Sequence, residues 1–188
     1  MKNLTDLEII ESIKRGNHSD FSILVDRYKN KAFSLLKRML KNDMEAEETL
    51  QDAFIKTFNG LKNFKQESKF STWFYRIVYN TALTKLSNKK RKIESEMTSV
   101  EDHLELESKM DYNQAEKRNI SEIVNSLIEQ LPEKYSTVIS MFYLNGMSCE
   151  EIAEATSSSV SNVKVLLYRA RNTFKDIIVK YNLSEELR

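Results

Sequence analysis

From Phe70 to Lys92 the sequence reads FSTWFYRIVYNTALTKLSNKKRK, and its residue types suit contact with nucleic acid. At helical spacing Phe70, Phe74, Ile77, Val78 and Thr81 fall on one stripe, and Arg76, Tyr79, Asn80, Leu83 and Ser87 on the other. Aromatic rings beside Arg and Asn, running into a Lys/Arg cluster, supply stacking planes, base-edge donors and phosphate neutralisation together. The bland reading is that Trp73, Tyr75 and Tyr79 fill core gaps at the end of a small bundle. A short polar loop before this helix, Lys65-Gln66-Glu67-Ser68-Lys69, is suited to gripping a flipped base. The helix itself is expected to start after a Ser71 cap.

A second surface of the same kind lies near the end of the chain. Ser148-Cys149-Glu150-Glu151 fits a capping box that opens a short helix, broken at Thr156-Ser157-Ser158. A longer helix follows from Ser159, burying Val160, Val163, Leu167, Ala170, Phe174 and Ile178. Short helix, turn and longer helix form a helix-turn-helix, a pattern that small bundles also imitate. The outer face shows Ser161, Lys164, Val165, Tyr168, Arg169, Asn172 and Lys175, and residues 161–180 carry five Lys/Arg against one Asp. Such a helix sets its first residues on base edges and its cations on phosphates.

A third candidate surface is acidic. In EAEETLQDAFIKTF, from Glu45, the residues Ala46, Leu50, Ala53 and Phe54 share one side, and Glu48, Gln51, Asp52 and Ile55 the other. An apolar Ile ringed by polar and acidic groups is either an ordinary solvated helix face or a docking surface for a protein.

The elements that hold these surfaces are helical. Three Gly and one Pro in 188 residues compare with a usual share of about 12%, which leaves too few turn residues for hairpins, sandwiches or barrels. Leu4 to Arg15 is expected to form a helix with Leu7, Ile10 and Ile13 inward, ending at Gly16-Asn17. Ser19 or Asp20 then caps a helix whose buried stripe runs Phe21, Leu24, Val25, Tyr28, Ala32, Leu35, Leu36 and Met39. Leu131-Pro132-Glu133 opens another with Pro in its first position, continuing to Asn145-Gly146.

The formal net charge of +1 divides unevenly: +8 over residues 1–92, −7 over 93–130 and zero over 131–188. The stretch Ile93 to Lys117 loses its apolar period and is too charged for a core of its own. The fold expected is therefore all-α: two small helical domains, 1–92 and 118–188, joined by a flexible acidic linker, 93–117. Gly16, Gly60 and Gly146 stand apart, which rules out phosphate-cradling glycine loops, and Cys149, His18 and His103 are too scattered for a structural zinc. No metal, cofactor or catalytic residue is expected, nor membrane insertion. One thiol and the lack of a leader or long apolar run indicate a soluble cytoplasmic protein.

Taken together, the three stretches resemble the extracytoplasmic-function group of bacterial RNA polymerase sigma factors. EAEETLQDAFIKTF resembles that family's core-binding helix, FSTWFYRIVYNTALTKL its promoter-melting helix, and LPEKYSTVISMFYLNGMSCEEIAEATSSSVSNVKVLLYRARNTF its second DNA-binding domain. The resemblance covers about 5–90 and 120–178, in the family's order. It implies that Glu48, Gln51, Asp52 and Ile55 dock on the clamp helices of the polymerase β′ subunit. Lys65, Ser68, Lys69, Tyr75, Arg76, Tyr79 and Asn80 would engage the −10 element of promoter DNA. Ser159, Ser161, Asn162, Lys164, Val165, Tyr168, Arg169 and Arg171 would read the −35 element, with the rest of that domain on the β flap. The linker would thread the polymerase cleft, and an anti-sigma factor wedged between the domains is an implied further partner. Ser157 stands where the family's turn has Gly, Ser158 where an apolar residue is common, and Val165-Leu166 where Ser-Arg is frequent. The alternative is a stand-alone helix-turn-helix regulator, which has no reason to keep the face of residues 48–55 acidic.

Overall fold

The computed structural model describes residues 4–96 and 120–181. Most of the acidic segment 93–117 therefore lies outside the described residues. Helices α1 (Asp6–Lys14), α2 (Phe21–Leu40), α3 (Asp43–Gly60) and α4 (Phe70–Glu96) form the first group, and α5 (Ile120–Glu129), α6 (Glu133–Ile139), α7 (Cys149–Thr156) and α8 (Val160–Lys180) the second. No strand occurs among the described residues.

Local chemistry sets most boundaries. Thr5 and Glu8 close a capping box on α1: the Glu8 amide donates to Thr5 Oγ1 at 3.3 Å and the Thr5 amide to Glu8 Oε2 at 2.7 Å. Gly16 takes a φ of 108° beyond its end, where a side chain would be strained. Asp20 holds the N-cap position of α2, at the end of a 3₁₀ turn over His18–Asp20, but makes no side-chain cap bond; its carboxylate instead accepts from Ser12 Oγ at 2.6 Å. Asn42 Oδ1 caps α3 by accepting from the Glu45 amide at 2.9 Å. The fourth helix starts at Phe70, one residue before the expected cap.

The first core follows the expected stripes, with Leu24, Ala32, Leu35, Leu36 and Met39 of α2 all buried. Leu7 departs from expectation: it is 43% exposed, and Ile9 takes the inward position beside Ile10 and Ile13. Asp6 is engaged by both Arg27 and Tyr28, which tie α1 to α2. The rings of Phe54 and Phe74 stack at 5.1 Å, and those of Phe70 and Phe74 at 6.0 Å. At Gly60 an added Cβ would lie 3.0 Å from the Trp73 ring, so the close approach of α3 to α4 depends on that glycine.

In the second group, Pro132 is the cap rather than the first residue of α6, and the helix widens into a π turn over Ser140–Leu144. The Ser148–Glu151 capping box forms as expected. At the end of α7, Ser157 adopts the left-handed conformation, φ 52° and ψ 43°, while the Ser158 amide closes on the Ala153 carbonyl at 2.9 Å. A left-handed L-residue is strained by about 1–2 kcal/mol, against which glycine's extra unfolded-state freedom costs about 0.5–1 kcal/mol. Ser157→Gly is therefore expected to stabilise the fold by roughly 0.5–1 kcal/mol, a rise of about 2 °C in a thermal melt.

The two groups pack on each other, α4 against α7 and α2 against α6, and their buried apolar side chains form one continuous cluster.

Candidate protein-docking and nucleic-acid surfaces

The third helix presents its acidic face because its inner side is small. Ala46, Thr49, Ala53 and Thr57 are buried against the neighbouring helices, and the hydroxyls of Thr49 and Thr57 donate to the carbonyls four residues back at 2.6 and 2.7 Å. Glu48, Gln51, Asp52 and Ile55 are all exposed, Ile55 by 59%. Met44 is exposed on the first turn of the same helix, an apolar contact that the stripe pattern did not single out. Lys85 donates to Glu48 at 2.6 Å and Lys89 pairs with Glu45 at 3.1 Å, so the basic end of α4 lies along the rim of this face. The bond to Glu48 raises the Lys85 pKa, but this ion pair is open to water and adds little stability.

Beside α4, the loop 65–69 is fixed at its base by Lys14, whose ammonium donates to the Phe64 carbonyl at 2.9 Å. Gln66 sits in the left-handed region at φ 63°. The loop borders an open cleft of about 500 Å³, lined also by Thr5, Asp6, Leu7 and Phe70, a volume in the range that takes small ligands. Leu7 is thus turned out to form part of a cleft wall, a role that helical periodicity alone does not reveal. Lys65, Lys69, Arg76 and Asn80 are exposed and Ser68 half-buried.

Tyr75 and Tyr79 behave differently from the expectation of open stacking planes. Tyr75 is 2% exposed, packed against the rings of Tyr28 and Phe74, and its hydroxyl has no hydrogen-bond partner among the described residues. It is a core residue here, and burial pushes its phenol well above the ordinary range. Tyr79 is half-buried in a cleft whose other walls come from α6, α7, α8 and the turn between the last two. Burial, with Glu133 nearby, raises its pKa as well.

On α8, Ser161, Asn162, Lys164, Val165, Tyr168 and Arg169 stand exposed on a continuous face, Tyr168 by 66%. Ser159 is exposed too, but its hydroxyl is spent as the cap, accepting from the Asn162 amide at 3.1 Å. Asn162 Nδ2 donates to Ser158 Oγ at 2.9 Å, so Ser158 acts as a polar partner at the position where an apolar residue is common in the family it resembles. Arg171 does not stand free as a phosphate contact. Its Nε donates to the Tyr143 hydroxyl at 2.8 Å and its guanidinium lies over the Phe142 and Tyr143 rings at 5.6 and 5.5 Å, clamping α8 to the end of the π turn.

Lys69 also has a partner: its ammonium pairs with Glu151 at 2.9 Å, linking the loop to the first turn of α7. Burial opposes the Glu151 charge, but the Ser148 amide and Lys69 outweigh it and hold the carboxyl below its usual range. Among the described residues no cluster of three or more His, Cys, Asp and Glu is placed to hold a metal, and no helix is long and apolar enough to cross a membrane.

Residues 24–92 match the family described as Sigma-70 region 2, and residues 121–174 match Sigma-70, region 4. The ECF RNA polymerase sigma-E factor of Haemophilus influenzae is 33% identical over 186 residues, covering 94% of this chain and 97% of that protein. The RNA polymerase sigma-H factor of Pseudomonas aeruginosa is 32% identical, with 88% of this chain and 90% of that protein aligned. Among solved structures, the sigma factor RpoE of Bartonella quintana, crystallised with the anti-sigma factor NepR, shares the fold at a TM-score of 0.65 and 17% identity, over 85% of this chain and 96% of that one.

Proposed function

The chain belongs to the extracytoplasmic-function group of RNA polymerase sigma factors, and from that premise we propose how its surfaces divide the work of bringing core polymerase to a promoter and opening the strands. Members of this family are transcription initiation factors and not known enzymes. Nothing in the scheme asks a side chain to make or break a covalent bond.

Glu48, Gln51, Asp52 and Ile55 dock on the β′ clamp helices. Lys65, Ser68 and Lys69 of the loop, with Arg76, Tyr79 and Asn80 of α4, take the −10 element. The loop cleft, about 500 Å³, receives an extruded base. Extruding a base costs a few kcal/mol, and one aromatic stack returns about 1–3 kcal/mol. With Tyr75 in the core and Tyr79 lining the separate cleft against the second helical group, that stack belongs to a base held along α4 rather than in the loop cleft, and Asn80 adds a base-edge hydrogen bond. Ser161, Asn162, Lys164, Val165, Tyr168 and Arg169 read the −35 element, and Arg171 keeps α8 in place to do so. Each contact alone is weak; polymerase holds the two at fixed spacing, so the second becomes effectively intramolecular. The linker, in this scheme, passes through the polymerase cleft, the β flap carries the second helical group, and an anti-sigma factor is a further partner. The setting is the cytoplasm, where polymerase works.

The observation that carries this scheme is the exposure of the acidic face of α3 on one side and of Arg76 and Asn80 along α4 on the other, with the loop cleft at the N-terminal end of that helix. Run-off transcription on a genomic library is expected to give discrete start sites with core polymerase plus this protein, and none of those with core alone. A protein that binds duplex promoter DNA unaided, yet adds no start sites to core, would favour the stand-alone regulator.

A further inference from the structure

The turn between α7 and α8 holds a side-chain contact that reaches the outer face of α8. Its backbone is fixed first: Ser157 is left-handed at φ 52°, and the Ser158 amide donates to the Ala153 carbonyl at 2.9 Å. Ser159 Oγ then caps α8 by accepting from the Asn162 amide at 3.1 Å. Between these two anchors, Ser158 Oγ accepts from Asn162 Nδ2 at 2.9 Å. Both residues border the cleft that holds Tyr79, yet Asn162 is exposed. It stands in the first turn of α8, the part of such a helix that meets base edges. Val165 follows three residues later and is 45% exposed, a spacing that makes the two side chains neighbours on one face.

A carboxamide accepts at its oxygen and donates at its nitrogen, so what it reads depends on which end it presents. The bond to Ser158 spends one N–H, keeps the amide from turning over and sets Oδ1 away from the turn. In the major groove adenine and cytosine each show an exocyclic amino donor, whereas guanine shows two acceptors and thymine a carbonyl beside its methyl group. An outward oxygen therefore pairs with an amino base and is set against the oxygen of a keto base. Without Ser158 the amide can turn over and offer its amino end to guanine O6 or thymine O4. Val165 presents methyl groups only, which match the methyl of thymine. Lys164 and Arg169, exposed on the same helix, suit phosphates, contacts that position the helix and carry no sequence information.

We propose that Ser158 is a positioning residue for sequence recognition: it holds Asn162 as an acceptor, so that α8 selects adenine or cytosine over guanine or thymine at the base facing Asn162, with a thymine methyl against Val165 at the neighbouring position. The inference rests on the assignment of α8 to the −35 element. Its test takes a promoter found by run-off transcription, randomises the −35 element, and counts transcripts by template sequence with core polymerase and the full chain. Asn162→Ala marks the position concerned by erasing its preference. There the wild type is expected to favour amino over keto bases at least about tenfold. Ser158→Ala should bring that ratio to within about twofold and leave the other positions as they were. Ser158→Ala combined with Asn162→Asp should restore it, because a carboxylate accepts at both ends and needs no partner to orient it. A turn that merely lost stability would lower all templates together and would not be rescued by Asp. A Ser158→Ala profile equal to that of the wild type would overturn the inference, as would a wild-type preference for a keto base at the marked position. If the chain yields no start sites with core, the functional scheme fails. Selection of random duplexes by the full chain alone, wild type against Ser158→Ala, then decides the inference by the same ratio, and the lack of any base preference there overturns it.

Discussion

Asp52→Arg is expected to abolish co-purification with core RNA polymerase while the protein stays folded. Asp52 is exposed on the outer face of α3, between Gln51 and Ile55 and one turn from Glu48. An exposed substitution of this kind changes stability by no more than about 0.5 kcal/mol, so thermal melts of the two proteins should superimpose. Binding responds differently, because a like charge set against a basic patch costs several kcal/mol. Each 1.4 kcal/mol is about tenfold in affinity, so a loss of a hundredfold or more is expected. Glu48 is the weaker lever, since Lys85 already neutralises it at 2.6 Å in the free chain. Competition between the variant and wild type for a limiting amount of core measures the difference. Undiminished capture of Asp52→Arg by core would remove the docking role from this face.

What the sequence made legible was chiefly what neighbouring residues decide among themselves. The apolar stripe of α2 and the Ser148–Glu151 box need only the residues within a turn or two, and both form as read. The Thr5–Glu8 box carries the same signature and marks the start of α1 within a residue. The all-helical composition was equally readable, since so few Gly and Pro leave no means of making sheet turns. The failures have a common physical origin in long-range packing. A period of 3.6 fixes the direction of a buried stripe but not its width, and α7 lying along α4 widens the buried arc there. Tyr79 thus loses exposure to a partner more than fifty residues away. Arg38 sits on the inner side of α2 and finds its partner at Asn125, a pairing that no local pattern encodes. Arg171 likewise looks outward on a helical wheel, yet Tyr143 and Phe142 at the end of the π turn claim it. Ser157 is the reverse case, a departure from the family pattern visible in the sequence whose cost becomes concrete in its left-handed backbone.

Asn80→Ala should separate strand opening from promoter docking. Asn80 is exposed on α4, and its backbone carbonyl accepts from Thr84 Oγ1 at 2.9 Å as part of the helix. It lines none of the cleft that holds Tyr79 between the two groups, so the variant leaves that contact intact and reports on DNA alone. In duplex DNA the base edges of the −10 element are paired, and an amide on α4 contributes little beyond its neighbours' contacts with phosphate. Once a base leaves the stack its edge becomes available. A well-formed contact from Asn is then worth about 1–3 kcal/mol, which converts to roughly a 5- to 150-fold change in the opening equilibrium. Closed-complex binding at low temperature should therefore fall less than twofold, while permanganate reactivity of unpaired thymines at physiological temperature falls at least about fivefold. Tyr79→Ala is a poorer probe, because removing the ring deletes a stack and also loosens the contact with the second helical group. An equal loss at both stages for Asn80→Ala would mean that its side chain supports α4 rather than the melted strand. A selective loss at opening instead ties the energy of strand separation to a side chain whose outward placement the helical spacing from Phe70 already specifies.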